Sequence, residues 1–263
     1  MIQYQNEQLT VFQSALYQTT CAVIQTEKAI IITDPNWLPH EVEAIKAYVE
    51  SRIGNRQLYV IFTHSDFDHI IAAGAFPQAI KIASEAFVNL ADKEKVLNDI
   101  VDFDAQYYIT RDYPITYPTI DIVIRQDGQQ EVLGDVMCSF YLAPGHTEDG
   151  IFTIVEPLGI MLVGDYLSNV EFPLVSNITE YETTLQKAKY LLEQFEVHAL
   201  VSGHGQMTTD QLEMENRIEE SQDYLTNLQQ GVNQEHALEA RYSYYRSLKA
   251  LHEANKKVAA RKK

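Results

Sequence analysis

Four short segments put histidine or aspartate into turns that directly follow apolar runs: His64-Ser65-Asp66-Phe67-Asp68-His69, Pro144-Gly145-His146-Thr147, Gly164-Asp165 and Gly203-His204-Gly205. A buried strand that ends in a metal-capable side chain beside glycine or proline projects that side chain from a rigid scaffold into an edge cleft. His64 and Asp66, two residues apart on an extended backbone, can aim at one point. Asp68 and His69, entering a helix, can aim at a second point nearby. His146 could complete the shell of the first ion and His204 that of the second. Asp165 has the two oxygens needed to bridge them, at the roughly 3.5–4 Å separation usual in such sites. The chemistry implied is hydrolysis by a metal-bridging hydroxide, a nucleophile available near neutral pH because a bound cation can lower the pKa of water toward about 7.

Each of these residues has a plainer role open to it. A lone histidine in a strand-end turn is more often a hydrogen-bonding or exposed side chain, Asp165 could cap a turn or helix, and Asp68 could be a helix N-cap. The agreement of seven positions within one β-rich chain favours the metal reading. His40, His198, His236 and His252 have no such context and are expected on surfaces or at helix ends. Cys21 and Cys138 lie far apart in apolar runs and read as small buried hydrophobes rather than a disulfide or a thiolate metal site.

The elements that must position these turns follow from periodicity. Residues 9–17, 20–26, 29–34 and 58–64 read as strands, with a helix over 41–55 whose Val42, Ile45, Tyr48, Val49 and Ile53 share one face. A strand at 79–84 follows, and then an insert of about 86–118 containing a helical candidate at 87–101. The tail of that insert holds Phe103 and Tyr107, Tyr108, Tyr113 and Tyr117, which could form a pocket wall or fasten the insert to the core. Strands resume at 119–124, 136–143, 151–156 and 160–165, and a helix near 180–195 precedes a strand at 198–205. The sequence is helix-compatible from 208 to its end. Two β-then-α halves of similar size suggest a duplicated sandwich, an α/β protein in four αββα layers with additional C-terminal helices. Residues 1–207 then form the catalytic domain, and 208–263 a helical extension packed on it that could border the cleft or mediate a homodimer.

At 263 residues and 46% hydrophobic, the chain suits one large domain. A formal charge of −17 disfavours a nucleic-acid partner, since binding to phosphate backbones draws on Lys and Arg displacing counterions. The basic end, residues 256–263, runs against this balance and reads as a frayed, solvated terminus without assigned function. No run approaches the roughly 18–20 apolar residues of a membrane helix, and MIQYQNEQ lacks the basic-then-apolar order of a secretory signal. The expectation is a soluble cytoplasmic enzyme with a small-molecule substrate and no membrane partner.

In order and spacing, HSDFDH, PGHT, GD at 164–165 and SGHG resemble the metal-binding motifs of the metallo-β-lactamase superfamily over about residues 20–205. The resemblance implies a role for Asp34 in Thr33-Asp34-Pro35, that of hydrogen-bonding and orienting site residues without binding metal. It also implies that Asp68 faces the substrate, orients the hydroxide and passes a proton to the leaving group. The usual motif is H-x-H-x-D-H, and here Asp66 stands in place of a histidine. Two divalent ions with Asp66, Asp68 and Asp165 leave a net charge of one, against two with the histidine. A bridging hydroxide then makes the centre neutral. Zinc is the first expectation for the two ions, and the harder oxygen ligand shifts preference toward manganese or iron.

The implied activity is cleavage of an ester, thioester, lactone or phosphoester, similar to the glyoxalase-II-like and lactonase-like branches. True β-lactamase action is disfavoured, because those enzymes work outside the cytoplasm. An acidic residue at position 66 also resembles flavodiiron proteins, so a di-iron oxidoreductase is an alternative, although residues 208–263 lack a flavodoxin-like phosphate loop. A non-catalytic ligand-binding module is a third reading, and it would be marked by a missing ligand position.

Overall fold

The computed structural model describes residues 1–260. Two sheets lie face to face. The first takes its strands in chain order: β1 (Ile2–Gln5), β2 (Leu9–Gln13), β3 (Thr20–Gln25), β4 (Ala29–Thr33), β5 (Gln57–Ile61), β6 (Ile80–Ser84) and β7 (Ile122–Ile124). Pairing is antiparallel from β1 to β4 and parallel from β4 to β7. The second sheet runs β12 (Ala199–Val201), β11 (Ile160–Leu162), β10 (Ile151–Glu156), β9 (Val136–Leu142), β8 (Gln129–Leu133). Its pairing is antiparallel apart from parallel β11–β12.

Strict alternation of side chains divides each strand between two cores. Ile31 of β4, Ile61 of β5, Ile151 of β10 and Val201 of β12 meet between the sheets. Ile30, Ile32 and Val60 point the other way, onto α1 (Pro39–Ile53), α2 (Phe67–Ile70), α3 (Glu85–Val88) and α4 (Lys93–Tyr107). On the far side, Phe152, Ile154 and Met161 pack against α5 (Ile178–Gln194), α6 (Gln211–Gln230) and α8 (Tyr245–Ala260), with α7 (Glu235–Arg241) between the last two. The result is the four-layer αββα sandwich. Because both faces of the central strands are covered, they read as continuous apolar runs.

Two strands escape the periodicity reading. β1 and β8 are half-polar edge strands, β1 exposed at both ends and β8 at alternate positions, so neither carries an apolar run. The helix expected at 87–101 is divided, because Asp92 accepts a hydrogen bond from Lys95 N and starts α4 at Lys93. In the insert, Phe103 packs on Trp37, Phe67 and Tyr107, and Tyr113 and Tyr117 lie against the same core. That part fastens the insert down, leaving Tyr107 and Tyr108 exposed.

Two expectations need correction. His252 is fully buried on α8 and shares a hydrogen bond with the Tyr224 hydroxyl, 2.9 Å from Nδ1. The basic end is not frayed up to Ala260: it is the last turn of α8, with Val258 and Ala259 packed on the core and Lys256 paired to Glu253. Residues 261–263 lie outside the described residues. Cys21 and Cys138 are buried and free. Among the described residues no helix is long and apolar enough to cross a membrane.

Candidate metal centre

β5, β9, β11 and β12 all end at one edge of the sandwich, and the turn after each carries the polar residues. Backbone bonds pin these turns to one another and to neighbouring strands: Gly203 N donates to Gly164 O at 2.5 Å, Ile151 N to Thr63 O at 2.8 Å, and Thr20 N to Gly203 O at 2.7 Å. Gly203 lets them close up, since a Cβ there would stand 2.2 Å from Asp165 Oδ1 and 2.9 Å from His69 Cε1.

The side chains fall into two groups. In the first, His146 Nε2 lies 3.2 Å from Asp66 Oδ2 and 3.3 Å from Asp165 Oδ2, while His64 Nε2 lies 3.7 and 3.6 Å from the same two atoms. In the second, Asp68 Oδ2 is 3.3 Å from His69 Nε2 and 3.4 Å from His204 Nε2. Asp165 reaches this group as well, at 3.0 Å from His69 and 3.3 Å from His204. Within each group the ligand atoms lie within 4.8 Å of one another. Two ligands bound about 2.0–2.2 Å from one tetrahedral ion stand roughly 3.3–3.6 Å apart, so these spacings suit a shared cation.

The hydrogen bonds behind the rings decide which nitrogen faces inward. His146 Nδ1 donates to Leu174 O at 2.8 Å, His204 Nδ1 to Tyr17 O at 2.9 Å, and His69 Nδ1 to Asp34 Oδ2 at 3.0 Å. Thr63 Oγ1 donates its proton to Asp34 Oδ2 at 2.5 Å, so it accepts from His64 Nδ1 at 3.0 Å. Each Nε2 is thereby turned toward carboxylate oxygens. His64, His69 and His146 Nε2 and Asp165 Oδ1 are buried without a hydrogen-bond partner. Lone pairs facing lone pairs in a buried space are costly unless protons or cations lie between them, and the donor set fits a divalent metal. The capping alternatives do not describe this arrangement. Asp66 occupies the N-cap position of α2 but makes no cap bond, and Asp68 lies inside the helix.

Electrostatics point the same way. Burial works against charge on His69, yet Asp165, Asp68 and Asp34 outweigh it and hold its pKa well above the ordinary histidine value. His146 is raised well above by Asp165 and Asp66 against the same penalty, and His204 is raised to about 10. Desolvation notwithstanding, the imidazoles hold Asp165 well below the usual carboxylate range. Asp66 is also held low, by His146 and His64 against partial desolvation, although its side chain is 46% exposed at the mouth of the cleft. In the metal-free chain the surrounding carboxylates therefore favour the protonated form of these imidazoles. The stability their ion pairs contribute is complete below pH about 6.5 and fades as pH rises through the raised values.

Helices outside the sheet edge hold the turns in place. Asn255 of α8 donates to Pro173 O at 2.6 Å and accepts from Val175 N at 3.0 Å, which brackets Leu174, the residue whose carbonyl orients His146. Buried Arg217 of α6 donates to Leu167 O at 3.2 Å and to Gln206 O at 2.9 Å, two residues beyond Asp165 and His204 respectively. Tyr166 receives His146 N at 3.0 Å and donates to Pro144 O at 2.7 Å. No motif marks Asn255 or Arg217, because their partners are distant in sequence. Asn255→Ala is expected to weaken metal binding by the His146 group about 10–100-fold while the Asp68–His69–His204 group keeps its affinity. Competition titration with a chromophoric chelator, resolving two affinities, would show it.

A family model described as the metallo-beta-lactamase superfamily matches residues 15–204. Among solved structures, an archaeal protein of that superfamily from Sulfolobus tokodaii is 16% identical, at TM-score 0.55, with 85% of this chain and 87% of that chain covered. A metallo-beta-lactamase family protein from Thermus thermophilus is 15% identical, at TM-score 0.62, with 85% and 80% covered. The stereoselective inverting sec-alkylsulfatase Pisa1 from Pseudomonas sp. is 13% identical, at TM-score 0.66, with 86% of this chain but 42% of the sulfatase covered. A search among curated proteins found no match.

Proposed function

The chain belongs to the metallo-beta-lactamase superfamily, and from that premise we propose that it is a dinuclear metallo-hydrolase acting on an ester, thioester, lactone or phosphoester bond of a small molecule. The observation that carries this reading is the set of inward, partnerless Nε2 atoms of His64, His69 and His146 around Asp165. His64, Asp66 and His146 would hold one ion, Asp68, His69 and His204 the other, and Asp165 both. Zinc is the first candidate, with manganese or iron favoured in proportion to the hardness that Asp66 adds. Two such ions would supply a Lewis acid for the bond under attack and a water acidic enough to react at neutral pH.

The protein's own groups do the rest. Asp34 fixes His69 directly and His64 through Thr63, so neither ring can turn its lone pair away. Asp68 uses Oδ2 toward His69 and His204, which leaves Oδ1 to accept the proton of the attacking water and return it to the leaving group. Its side chain is 12% exposed, enough to meet substrate at the cleft surface. The reading is tested by assaying ester, lactone, thioester and phosphodiester substrates with zinc, manganese or iron restored to stripped protein. Metal-dependent turnover of one class is expected. Iron-specific redox activity without hydrolysis would instead favour an oxidoreductase.

A further inference from the structure

A pocket of about 140 Å³ adjoins the metal centre, between the turn joining β2 to β3 and the start of α8. Tyr17, Gln18, Val170, Glu171, Tyr244 and Leu248 line it. Its nearness to the ligands is fixed by two contacts. Tyr17 O holds the His204 ring, and Val170 lies so close to Gly205 that a Cβ there would be 3.0 Å from Val170 Cγ2. The charges of Asp68 and Glu171 both act on the Tyr17 phenol, and those of His204, Asp165 and Asp68 act on Glu171. The pocket therefore stands directly behind the turn that carries His204.

Glu171 is the charged residue of that lining. It is partly buried, and among the described residues its carboxylate has neither a hydrogen bond nor an ion pair. Burial lifts its carboxyl above the usual range, the mark of a carboxylate short of a partner. Tyr17 and Tyr244 line the same space, 54% and 53% exposed, and Gln18 Nε2 donates to the Tyr244 hydroxyl at 3.0 Å and anchors it. A carboxylate with phenol rings around so small a volume suits an ammonium, which the rings attract electrostatically and the carboxylate neutralises. The net charge of −17 draws cations toward the protein and repels anions.

We propose that this pocket is a subsite for a positively charged amino or ammonium group of the substrate, with Glu171 as its specificity-determining residue. The inference rests on the hydrolase reading and names the substrate class: a hydrolysable compound carrying a cation a few bonds from the scissile bond.

The test compares three esters on the metal-loaded full chain: a 2-(trimethylammonio)ethyl ester, its uncharged 3,3-dimethylbutyl isostere and an ester with a distal carboxylate. The ratio of kcat/KM for the ammonium ester over the isostere is expected to be about tenfold or more, to fall toward one in Glu171→Gln, and to drop partway in Tyr244→Leu. A ratio near one in the unaltered protein, or one unchanged in Glu171→Gln, overturns the proposal. Calorimetric binding of tetramethylammonium needs no turnover. Saturable binding weakened in Glu171→Gln supports the pocket even if no ester is cleaved, and then it is the hydrolase reading that fails. Ester cleavage without such binding removes the pocket and leaves the hydrolase reading standing, and absence of both overturns both.

Discussion

Asp165→Ala is expected to empty both halves of the centre at once, with metal affinity falling by at least about a thousandfold at each and hydrolysis falling to background. The expectation follows from position. Asp165 is the residue whose oxygens reach members of both groups: His64 and His146 on one side, His69 and His204 on the other. Its carboxylate also supplies the largest favourable influence on the raised pKa values of His69 and His204. Without it, those buried imidazoles lose their chief counter-charge whether protonated or metal-bound. Elemental analysis of the variant beside His146→Ala distinguishes a shared carboxylate from an ordinary ligand. Loss of one ion in His146→Ala and of two in Asp165→Ala is the expected pattern, and equal loss in the two variants would deny Asp165 the shared role.

Asp68→Asn is expected to separate metal binding from chemistry. The amide keeps an oxygen donor toward His69 and His204 but cannot take a proton, so the variant should retain most of its metal while turnover falls about 10²–10⁴-fold. The loss should appear in kcat with little change in KM, because a proton carrier acts in the transition state and not in ground-state binding. Steady-state kinetics with matched metal content would decide, and a variant that turns over normally would remove Asp68 from proton transfer.

Much of the site was legible in the sequence because its parts are local. Hard apolar runs such as LYVIFT and IMLV mark strands, and the first polar, metal-capable residue after each run, His64 and Asp165, is the one the strand end presents at the edge. Asp66 and Asp68 sit within a single turn whose backbone geometry follows from six residues. The four-layer architecture was legible for a related reason: strands covered on both faces cannot alternate, and Ile30, Ile31 and Ile32 belong to two different cores. What escaped depends on distant partners. β1 and β8 are edges whose pairing, not composition, makes them strands. The sequence around His252 suggests a surface or helix-end position, because its burial is decided by Tyr224, on another helix 28 residues away. Asn255 reaches the metal centre through a loop 82 residues earlier, and Glu171 gains meaning from Tyr17 and Tyr244, far away on either side in the chain.

Two ions held by seven residues is the central claim, and calorimetric titration of stripped protein with zinc and with manganese tests it most directly. The carboxylates raise the pKa of His69 and His146 well above the ordinary histidine value and that of His204 to about 10, so metal binding is expected to displace imidazole protons. The predicted result is two ions bound per chain with net proton release at pH about 7.5, seen as an enthalpy that varies with buffer ionisation heat, and affinity that rises with pH. Saturation at a single ion, or binding that releases no protons, would contradict it.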